Sequence, residues 1–408
     1  MPDAMPDSDG VLAIRGTVLI EGKLVPDSVV VVRGGSIEAV GRDADVRVPP
    51  GAASMDAADR VVVPGFVDIH IHGSGGCRAE NDAQGMARYV IRHGTTWFLP
   101  TLISNDFEVM LRSIDHIRAN VGPVHGGATI GGIHLEGPFL NPKYGAQRSE
   151  TNIEPDPESV RRLIDRSGDD LRLVTIAPER HGAIDAIRRF RAAGATVSIG
   201  HTDASEEDYN AARRAGVTHA THVFNAMPSG KWPVADSYDG RHLVGPAELI
   251  MGDDEMSADI MSDSGSRHVH PTMLKIALHC KGPQKLSLIT DAMVSAGLPP
   301  GEHKMADGQN IYTAQDEDVA RLASGVICGS VLSMNGALRN FVEHTGTTLE
   351  TALVMVSEAP ARVVGQFDRK GSIAAGKDAD LVLLDKNLDV RSVFVAGQAA
   401  PRQEECPV

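Results

Sequence analysis

The 408-residue sequence has few aromatic residues and no long apolar segment. Aromatic side chains make up 4% of the chain, which argues against a surface built to stack nucleic-acid bases. No run of about 18 apolar residues is present, and this excludes a membrane-spanning helix. The segment Met1–Gly10 is acidic and lacks the basic and apolar regions of a signal peptide, so we expect a cytoplasmic protein.

Cysteines are also scarce, and they are widely separated: Cys77, Cys280, Cys328 and Cys406. Without a C-x-x-C pair, they indicate neither a zinc knuckle nor a disulfide framework. This spacing is typical of reduced thiols in a cytosolic protein.

Basic residues are outnumbered by acidic ones, 39 against 54, and the net charge is −15. Such a field repels phosphate backbones and anionic membrane surfaces, so neither nucleic acid nor a membrane is an expected partner. A small anionic substrate remains compatible with this charge, because a pocket can be locally positive on an acidic protein.

The sequence pattern changes near residue 64. Residues 11–63 contain short Val- and Ile-rich segments separated by turn residues, which predicts a small β unit. From residue 64, apolar strand-like runs alternate with helical patterns, and the runs begin near Phe66, Thr95, Thr129, Leu171, Thr196, His219, Ser257 and Leu286. Eight repeats predict an α/β fold, a TIM-type (β/α)₈ barrel. A doubly wound sheet is the alternative, but it would place its site at a glycine-rich first turn.

Strand patterns return from about Gly371. Because β units at the two ends of a barrel can pair, we expect one small β domain formed by residues 1–63 and 369–408. Residues 64–368 would then form the barrel.

Two histidines alternate with apolar residues at the end of the first run. In Phe66–His72, a strand period of two puts Asp68, His70 and His72 on one face of the strand and Val67, Ile69 and Ile71 on the other. The apolar face of a barrel strand meets the helices, so we expect the polar face to point inward. For an isolated H-x-H motif, a pair of hydrogen-bonded core histidines is the alternative interpretation.

Further polar residues end four other runs: His134 and Glu136 the third, His201 the fifth, His222 the sixth and Asp291 the eighth. Barrel enzymes keep their sites at this end of the strands. Imidazole and carboxylate ligands suit zinc and similar divalent ions, so the convergence predicts a metal centre. His134 could orient Glu136 instead of binding the ion.

These residue types point to metal-assisted hydrolysis. A catalytic ion lowers the pKa of its bound water towards about 7 and polarises a carbonyl group. Asp291 can take the proton of this metal-activated water, the nucleophile, and return it to the leaving amine. A plain metal ligand or a helix N-cap is the alternative role of Asp291.

The same residues belong to longer motifs: Pro64–Asp68, His134–Phe139, Ala177–Glu179, Gly200–Thr202, Thr221-His222, Phe224–Pro228, Thr290–Ala292, Gly329-Ser330, Ser333-Met334 and Ala375–Leu381. With these motifs, the chain resembles the amidohydrolase superfamily and, within it, the N-acetylglucosamine-6-phosphate deacetylases. The resemblance covers about residues 60–385. It implies a (β/α)₈ barrel with a flanking β-sandwich.

The resemblance also implies a divalent metal, with zinc favoured and Fe²⁺ or another ion as the alternative. It assigns Asp291 as general base and then acid, and Glu136, His201 and His222 as metal ligands. Some members have glutamine and asparagine in place of His70 and His72 and hold one metal. The H-x-H motif here leaves room for a second ion, with Glu136 as a bridge.

The implied reaction belongs to amino sugar metabolism: N-acetylglucosamine 6-phosphate and water give glucosamine 6-phosphate and acetate. The implied substrate-binding residues are Ala146, Gln147, Asn225, Ala226, Arg241, His268, Ile327, Cys328 and Gly329. Backbone amides at Asn225-Ala226 and the side chains of Arg241 and His268 would bind the sugar and phosphate. In this family the arginine reaches across from a neighbouring subunit, so a homodimer is expected.

Three substrate loops depart from the family pattern. Gln147 stands where the family has a histidine, and it can donate a hydrogen bond but cannot carry charge. The loop Ser229–Asp239 before Arg241 is lengthened. The stretch Asp263–His268 is also longer than usual, so His270 could compete with His268.

These departures motivate a second hypothesis: the protein is a deacylase of another N-acyl amino sugar or N-acyl amine and uses the same metal chemistry. A cyclic amidase is disfavoured, because the fourth run, Leu171–Ala177, has no lysine to bridge two metals. A non-catalytic scaffold is disfavoured too, because the expected ligands are all present.

Overall fold

The computed structural model describes residues 10–230 and 243–401. Its central element is a parallel barrel, as predicted, and the eight strands begin where the apolar runs begin. The strands are Phe66–Ile71, Thr95–Ile103, Thr129–Ile130 with Ile133–Glu136, Leu171–Ile176, Thr196–Ile199, His219–Ala220, Ser257–Ile260 and Leu286–Leu288. The eighth strand meets the first where the backbone N–H of Asp291 donates to the carbonyl oxygen of His70 at 2.9 Å.

Helices follow the barrel strands, and they cover Ala83–Val90, Phe107–Arg118, Pro157–Ser167, Ala183–Ala192, Glu206–Ala215, Pro246–Gly252, Pro271–Lys281, Met334–Thr345, Leu349–Val356 and Glu358–Val363. Local sequence explains their ends. Asp156 accepts backbone N–H bonds before the helix that Pro157 opens. Ser205 and Asp208 form a capping box, and Gly216 ends the same helix in a left-handed conformation.

The barrel interior differs from the prediction at the first strand. Val67 and Ile69 pack with Trp97, Leu99 and Leu173 of the second and fourth strands, and contacts across these strands are possible only inside the barrel. Expecting both residues on the helix-facing side was therefore wrong. Strand pairing is irregular between Asp68 and Ile71, where the alternation of side chains can break, and His70 and His72 still reach the cluster at the rim.

The terminal segments form the predicted small β-sandwich domain as one seven-stranded sheet. Its strands are Val11–Ile20, Lys23–Arg33, Ser36–Arg42, Ala53–Pro64, Leu381–Leu384, Val390–Val395 and Gln398–Ala399. The Ala53–Pro64 strand lies at the join, parallel to Val11–Ile20 and antiparallel to Leu381–Leu384. The exact domain limits, 1–63 with 369–408 and 64–368, stay a prediction.

A four-stranded antiparallel sheet after the eighth barrel strand was not predicted. It consists of Gly301–Lys304, Asn310–Thr313, Val319–Leu322 and Ile327–Ser330. A short hairpin, Gly73–Ser74 with Cys77–Arg78, follows the first barrel strand. None of the helices in the described parts of the chain is long and apolar enough to cross a membrane.

Candidate metal centre

Six side chains from five barrel strands meet at the C-terminal rim, and all six residues are buried: His70, His72, Glu136, His201, His222 and Asp291. Three of them turn out of their strands with positive φ angles, 49° at His201, 30° at His222 and 48° at Asp291. The parallel strands therefore bring together the residues that the sequence placed at their ends.

Glu136 lies at the centre of this cluster. Its Oε1 atom is 2.9 Å from Nε2 of His201 and 2.9 Å from Nε2 of His222. Its Oε2 atom is 3.2 Å from Nε2 of His72, and Oε1 is 3.4 Å from Nε2 of His70. Two groups of potential metal ligands thus share one carboxylate: Glu136 with His201 and His222, and Glu136 with His70 and His72.

Hydrogen bonds on the far side of the rings orient three of the imidazoles. Nδ1 of His201 is 3.1 Å from the carbonyl oxygen of Tyr144, and Nδ1 of His72 is 3.1 Å from that of Thr101. Nδ1 of His222 is 3.2 Å from the carbonyl oxygen of Asn225. A carbonyl oxygen can only accept, so Nδ1 of each ring carries a proton and Nε2 points into the cluster.

The electrostatics of the cluster favour positive charge. Burial acts to raise the pKa of Glu136, but His70 and His201 outweigh it and hold the pKa well below its usual range. Burial acts to lower the pKa of His222, but hydrogen bonding and charge from Glu136 raise it to about 9. The carboxylate of Glu136 thus stabilises protonated histidines, and the same negative charge would stabilise a bound metal cation.

The donor set fits a divalent metal ion. Buried imidazole nitrogens and a carboxylate converge without a basic side chain among them, and Nδ1 of three of the imidazoles is held by a hydrogen bond. This is the ligand chemistry of zinc and related ions.

Asp291 lies on the edge of the cluster that faces the cleft. Its Oδ1 atom is 3.1 Å from Nε2 of His72 and 3.5 Å from Nε2 of His70. Burial acts to raise the pKa of Asp291, but the charge of His70 and the hydrogen bond with His72 lower it, so the carboxylate is ionised. Turns follow Asp291 in the chain, and the helix N-cap interpretation therefore does not apply.

A cleft opens above the cluster. Among the residues predicted to bind substrate, the following line it: Ala146, Gln147, Asn225, Ala226, His268, Ile327, Cys328 and Gly329. Arg241 lies outside the described residues, and its role stays a prediction. The unpredicted antiparallel sheet supplies Val326–Gly329 as one wall.

His268 lines the cleft and His270 does not. Nδ1 of His268 is 3.1 Å from Oδ2 of Asp263, and its buried Nε2 atom has no hydrogen-bond partner among the described residues. His270 is exposed and accepts the backbone N–H of Thr272 at a helix start. Of these two histidines, His268 is the one placed to offer a ring nitrogen to a ligand in the cleft.

Two other predicted contacts differ in detail. The backbone N–H of Asn225 donates to the carbonyl oxygen of His222 at 2.9 Å, so this amide is already engaged. Its side-chain Oδ1 atom is buried and unpartnered in the described structure, which makes the side chain the available group. Nε2 of Gln147 lies 3.4 Å from Nδ1 of His201, so the substrate loop touches a candidate ligand.

His134 does not orient Glu136 directly. Its ring nitrogens contact the hydroxyl of Thr175 at 2.9 Å and the carbonyl oxygen of Ile69 at 3.1 Å, and burial holds its pKa well below its usual range. The sequence also missed apolar residues of the cleft: Ile103, Met261, Met293 and Met305. No spacing signal distinguishes these side chains from ordinary core residues.

Comparison with known proteins places this site in a family context. The sequence model of the Amidohydrolase family matches residues 61–400. N-acetylglucosamine-6-phosphate deacetylase of Bacillus subtilis (strain 168) is 32% identical over 391 residues, covering 94% of this chain and 95% of that protein. N-acetylgalactosamine-6-phosphate deacetylase of Escherichia coli O157:H7 is also 32% identical, over 358 residues, covering 86% of this chain and 90% of that protein.

Solved structures agree with the sequence comparison. A mutant N-acetyl-D-glucosamine-6-phosphate deacetylase from Mycobacterium smegmatis, in complex with N-acetyl-D-glucosamine-6-phosphate, has a TM-score of 0.83 and 33% identity, covering 96% of this chain and 99% of that chain. N-acetylglucosamine-6-phosphate deacetylase from Pasteurella multocida has a TM-score of 0.85 and 26% identity, covering 95% and 99%.

Proposed function

The chain belongs to the amidohydrolase family and is a hydrolase that acts on an amide, and from this premise we propose that it deacetylates N-acetylglucosamine 6-phosphate. Water cleaves the amide C–N bond and gives glucosamine 6-phosphate and acetate. One observation carries the proposal: Glu136, His201 and His222 converge beside Asp291, at the floor of a cleft lined by the residues expected to bind substrate.

We assign a divalent ion to Glu136, His201 and His222, and zinc suits these ligands best, with Fe²⁺ as the alternative. When bound, such an ion lowers the pKa of a water molecule and polarises a carbonyl oxygen. His70 and His72 are the ligands proposed for a second ion, and Glu136 lies between the two groups.

Asp291 is the proposed general base and acid. Its carboxylate is ionised and faces the cleft, so it can accept a proton from the attacking water. The same carboxyl group then delivers that proton to the amide nitrogen as the C–N bond breaks. This transfer prevents the amine from leaving as an unstable anion.

We assign the sugar and phosphate to other residues that line the same cleft as Asp291. Nε2 of His268 and Oδ1 of Asn225 are unpartnered polar atoms of described residues that line the cleft. Ala146, Gln147, Ala226 and the segment Ile327–Gly329 complete the proposed contacts. Arg241 would bind the phosphate from the partner subunit, because a guanidinium binds phosphate oxygens in pairs.

We also propose that the protein is a homodimer that acts in the cytoplasm. The dimer follows from the role given to Arg241. The location is supported by unpaired cysteines at Cys77, Cys280 and Cys328. Sedimentation equilibrium of the purified protein tests the first point.

One observation favours a second candidate, the galactosamine epimer of the substrate. The E. coli relative named for N-acetylgalactosamine 6-phosphate is as similar as the B. subtilis relative named for the glucosamine compound, 32% in both cases. Gln147 lines the cleft, where a contact with the sugar ring could decide between the two epimers.

Acetate release tests the proposal. Zinc-loaded protein is assayed with N-acetylglucosamine 6-phosphate, its unphosphorylated form and N-acetylgalactosamine 6-phosphate. We expect kcat/KM to be about 10²-fold or more higher for N-acetylglucosamine 6-phosphate than for N-acetylglucosamine, because the unphosphorylated sugar loses a charged contact. In Arg241→Ala this preference should collapse. Higher activity on the galactosamine compound would support the second candidate, and no acetate from any of them would refute both.

A further inference from the structure

Three residues of the proposed site have backbones that ordinary residues rarely adopt. His201, His222 and Asp291 all have φ between 30° and 49°. A side chain with a Cβ atom is strained in this left-handed region, so the conformation persists only when surrounding contacts fix it. In each case, a carboxylate from the neighbouring barrel strand supplies such contacts.

Asp259 holds His222. It lies on the seventh strand, fully buried, and its Oδ1 atom accepts the backbone N–H of His222 at the end of the sixth strand. Its Oδ2 atom is 3.1 Å from Nε2 of His219, and Nδ1 of the same ring is 2.8 Å from the hydroxyl of Ser257. Asp259 therefore fixes the peptide that carries a candidate ligand.

Glu179 holds the chain directly after His201. It follows the fourth strand, and Oε2 accepts the hydroxyl of Thr202 at 2.5 Å. Oε1 accepts the backbone N–H of Asp203 at 2.7 Å and the side-chain amide of Asn141 at 2.9 Å. One carboxylate thus fixes the turn that aims His201 into the cluster.

Asp68 holds the chain directly before Asp291. It lies on the first strand, fully buried, and Oδ2 accepts the hydroxyl of Thr290 at 2.6 Å. Oδ1 is 3.4 Å from the backbone nitrogen of Thr290 and 3.3 Å from that of His70. These bonds join the last strand to the first at the general base.

We propose that Asp259, Glu179 and Asp68 are positioning residues, which hold His222, His201 and Asp291 in left-handed conformations so that two metal ligands and the general base face one point. The inference rests on the proposed function of the cluster. Loss of these contacts leaves the ligands and the base in the chain but allows them to move. Because catalytic groups must be held within a fraction of an ångström, such a displacement weakens metal binding or catalysis.

Zinc affinity separates positioning from general structural damage. Asp259→Ala and Glu179→Ala should each weaken zinc binding about 10- to 100-fold, measured by competition with a chelator of known affinity. Asp68→Ala should keep the zinc affinity of the Glu136, His201 and His222 site within about threefold and lower kcat at saturating zinc by about tenfold or more, because Asp68 contacts the residue next to the base and neither His201 nor His222.

Two kinds of control variant are needed: one that removes a buried carboxylate outside the site, and one that replaces a positioning carboxylate by an amide. Asp380→Ala removes a buried carboxylate that accepts the backbone N–H of Ala396 and pairs with Lys370 in the terminal sheet. It should lower the melting temperature and leave zinc affinity unchanged. Asp259→Asn and Glu179→Gln keep an amide oxygen for the backbone N–H bonds, so they should recover most of the affinity that alanine loses.

If an alanine variant does not fold, Thr202→Val and Thr290→Val remove the opposite end of two of these contacts with little change in shape. They should weaken zinc binding and lower kcat, respectively, by about threefold or more, since each loses one hydrogen bond to a charged group. Zinc affinity and kcat equal to those of the unmodified protein in all foldable variants would overturn the proposal. Zinc binding without acetate release in the unmodified protein would instead refute the proposed function. The zinc titrations would still test whether Asp259 and Glu179 position the metal ligands.

Discussion

Replacing Asp291 by asparagine tests the proton transfer directly. The variant keeps the shape of the side chain and an oxygen that can accept the bond from His72, now 3.1 Å away. It removes the basic lone pair, and with it general acid–base catalysis, which contributes about 10²–10⁴ in rate. At 1.36 kcal/mol for each tenfold change, Asp291→Asn should raise the barrier by about 2.7–5.4 kcal/mol.

The kinetic pattern is as informative as the size of the loss. KM should change little, because Asn225 and His268, which also line the cleft, carry the proposed sugar contacts. Acetate release is measured at saturating substrate, with zinc content matched between the proteins. Asp156→Asn is the control, since asparagine caps a helix as well as aspartate does. A kcat within threefold of the unmodified protein at equal zinc content would refute the assignment of Asp291.

Three further substitutions test the metal cluster, the loop that packs against His201, and the pH dependence of stability at Asp263. Glu136→Gln should weaken zinc binding at least about tenfold, as judged by elemental analysis after dialysis, because this carboxylate contacts all four imidazoles of the cluster; full retention of zinc would contradict it. Gly145→Ala should also weaken zinc binding, since the glycine has φ of 113° and an added Cβ atom would lie 2.4 Å from Nδ1 of His201; unchanged affinity would show that the loop adapts. Burial acts to raise the pKa of Asp263, but hydrogen bonds from His268 and nearby backbone N–H groups lower it to about 2. The ionised group therefore stabilises the fold above its ordinary pKa of about 3.9, and this is lost as pH falls towards 2. The melting temperature of Asp263→Asn should accordingly lie below that of the unmodified protein at pH 6 and approach it near pH 2; a constant difference would refute the linkage.

The barrel was predictable because its signal is repeated. Eight apolar runs fix strand positions even where a strand such as His219–Ala220 is only two residues long. The antiparallel sheet was missed because its strands have four residues each, and two alternations in Asn310–Thr313 do not distinguish a strand from a loop.

The site was predictable to the level of residue type and strand end. The sequence alone identifies four ligand-type residues at strand ends: Glu136, His201, His222 and Asp291. What the sequence could not show is which groups hold them. The contacts of Asp259 and Glu179 run between strands, so their partners follow from the order and stagger of the barrel and not from spacing along the chain.

The terminal sheet has a consequence for how the protein is made. The strand Ala53–Pro64 pairs with Val11–Ile20 on one side and with Leu381–Leu384 on the other. On the ribosome, the whole barrel is synthesised between these partners, so one edge of Ala53–Pro64 stays open during most of translation. An unpaired edge is a site for association with other chains, and such long-range pairing forms slowly. We therefore expect docking of Leu381–Leu384 to be the last step of folding, and nascent chains to depend on chaperones until it occurs.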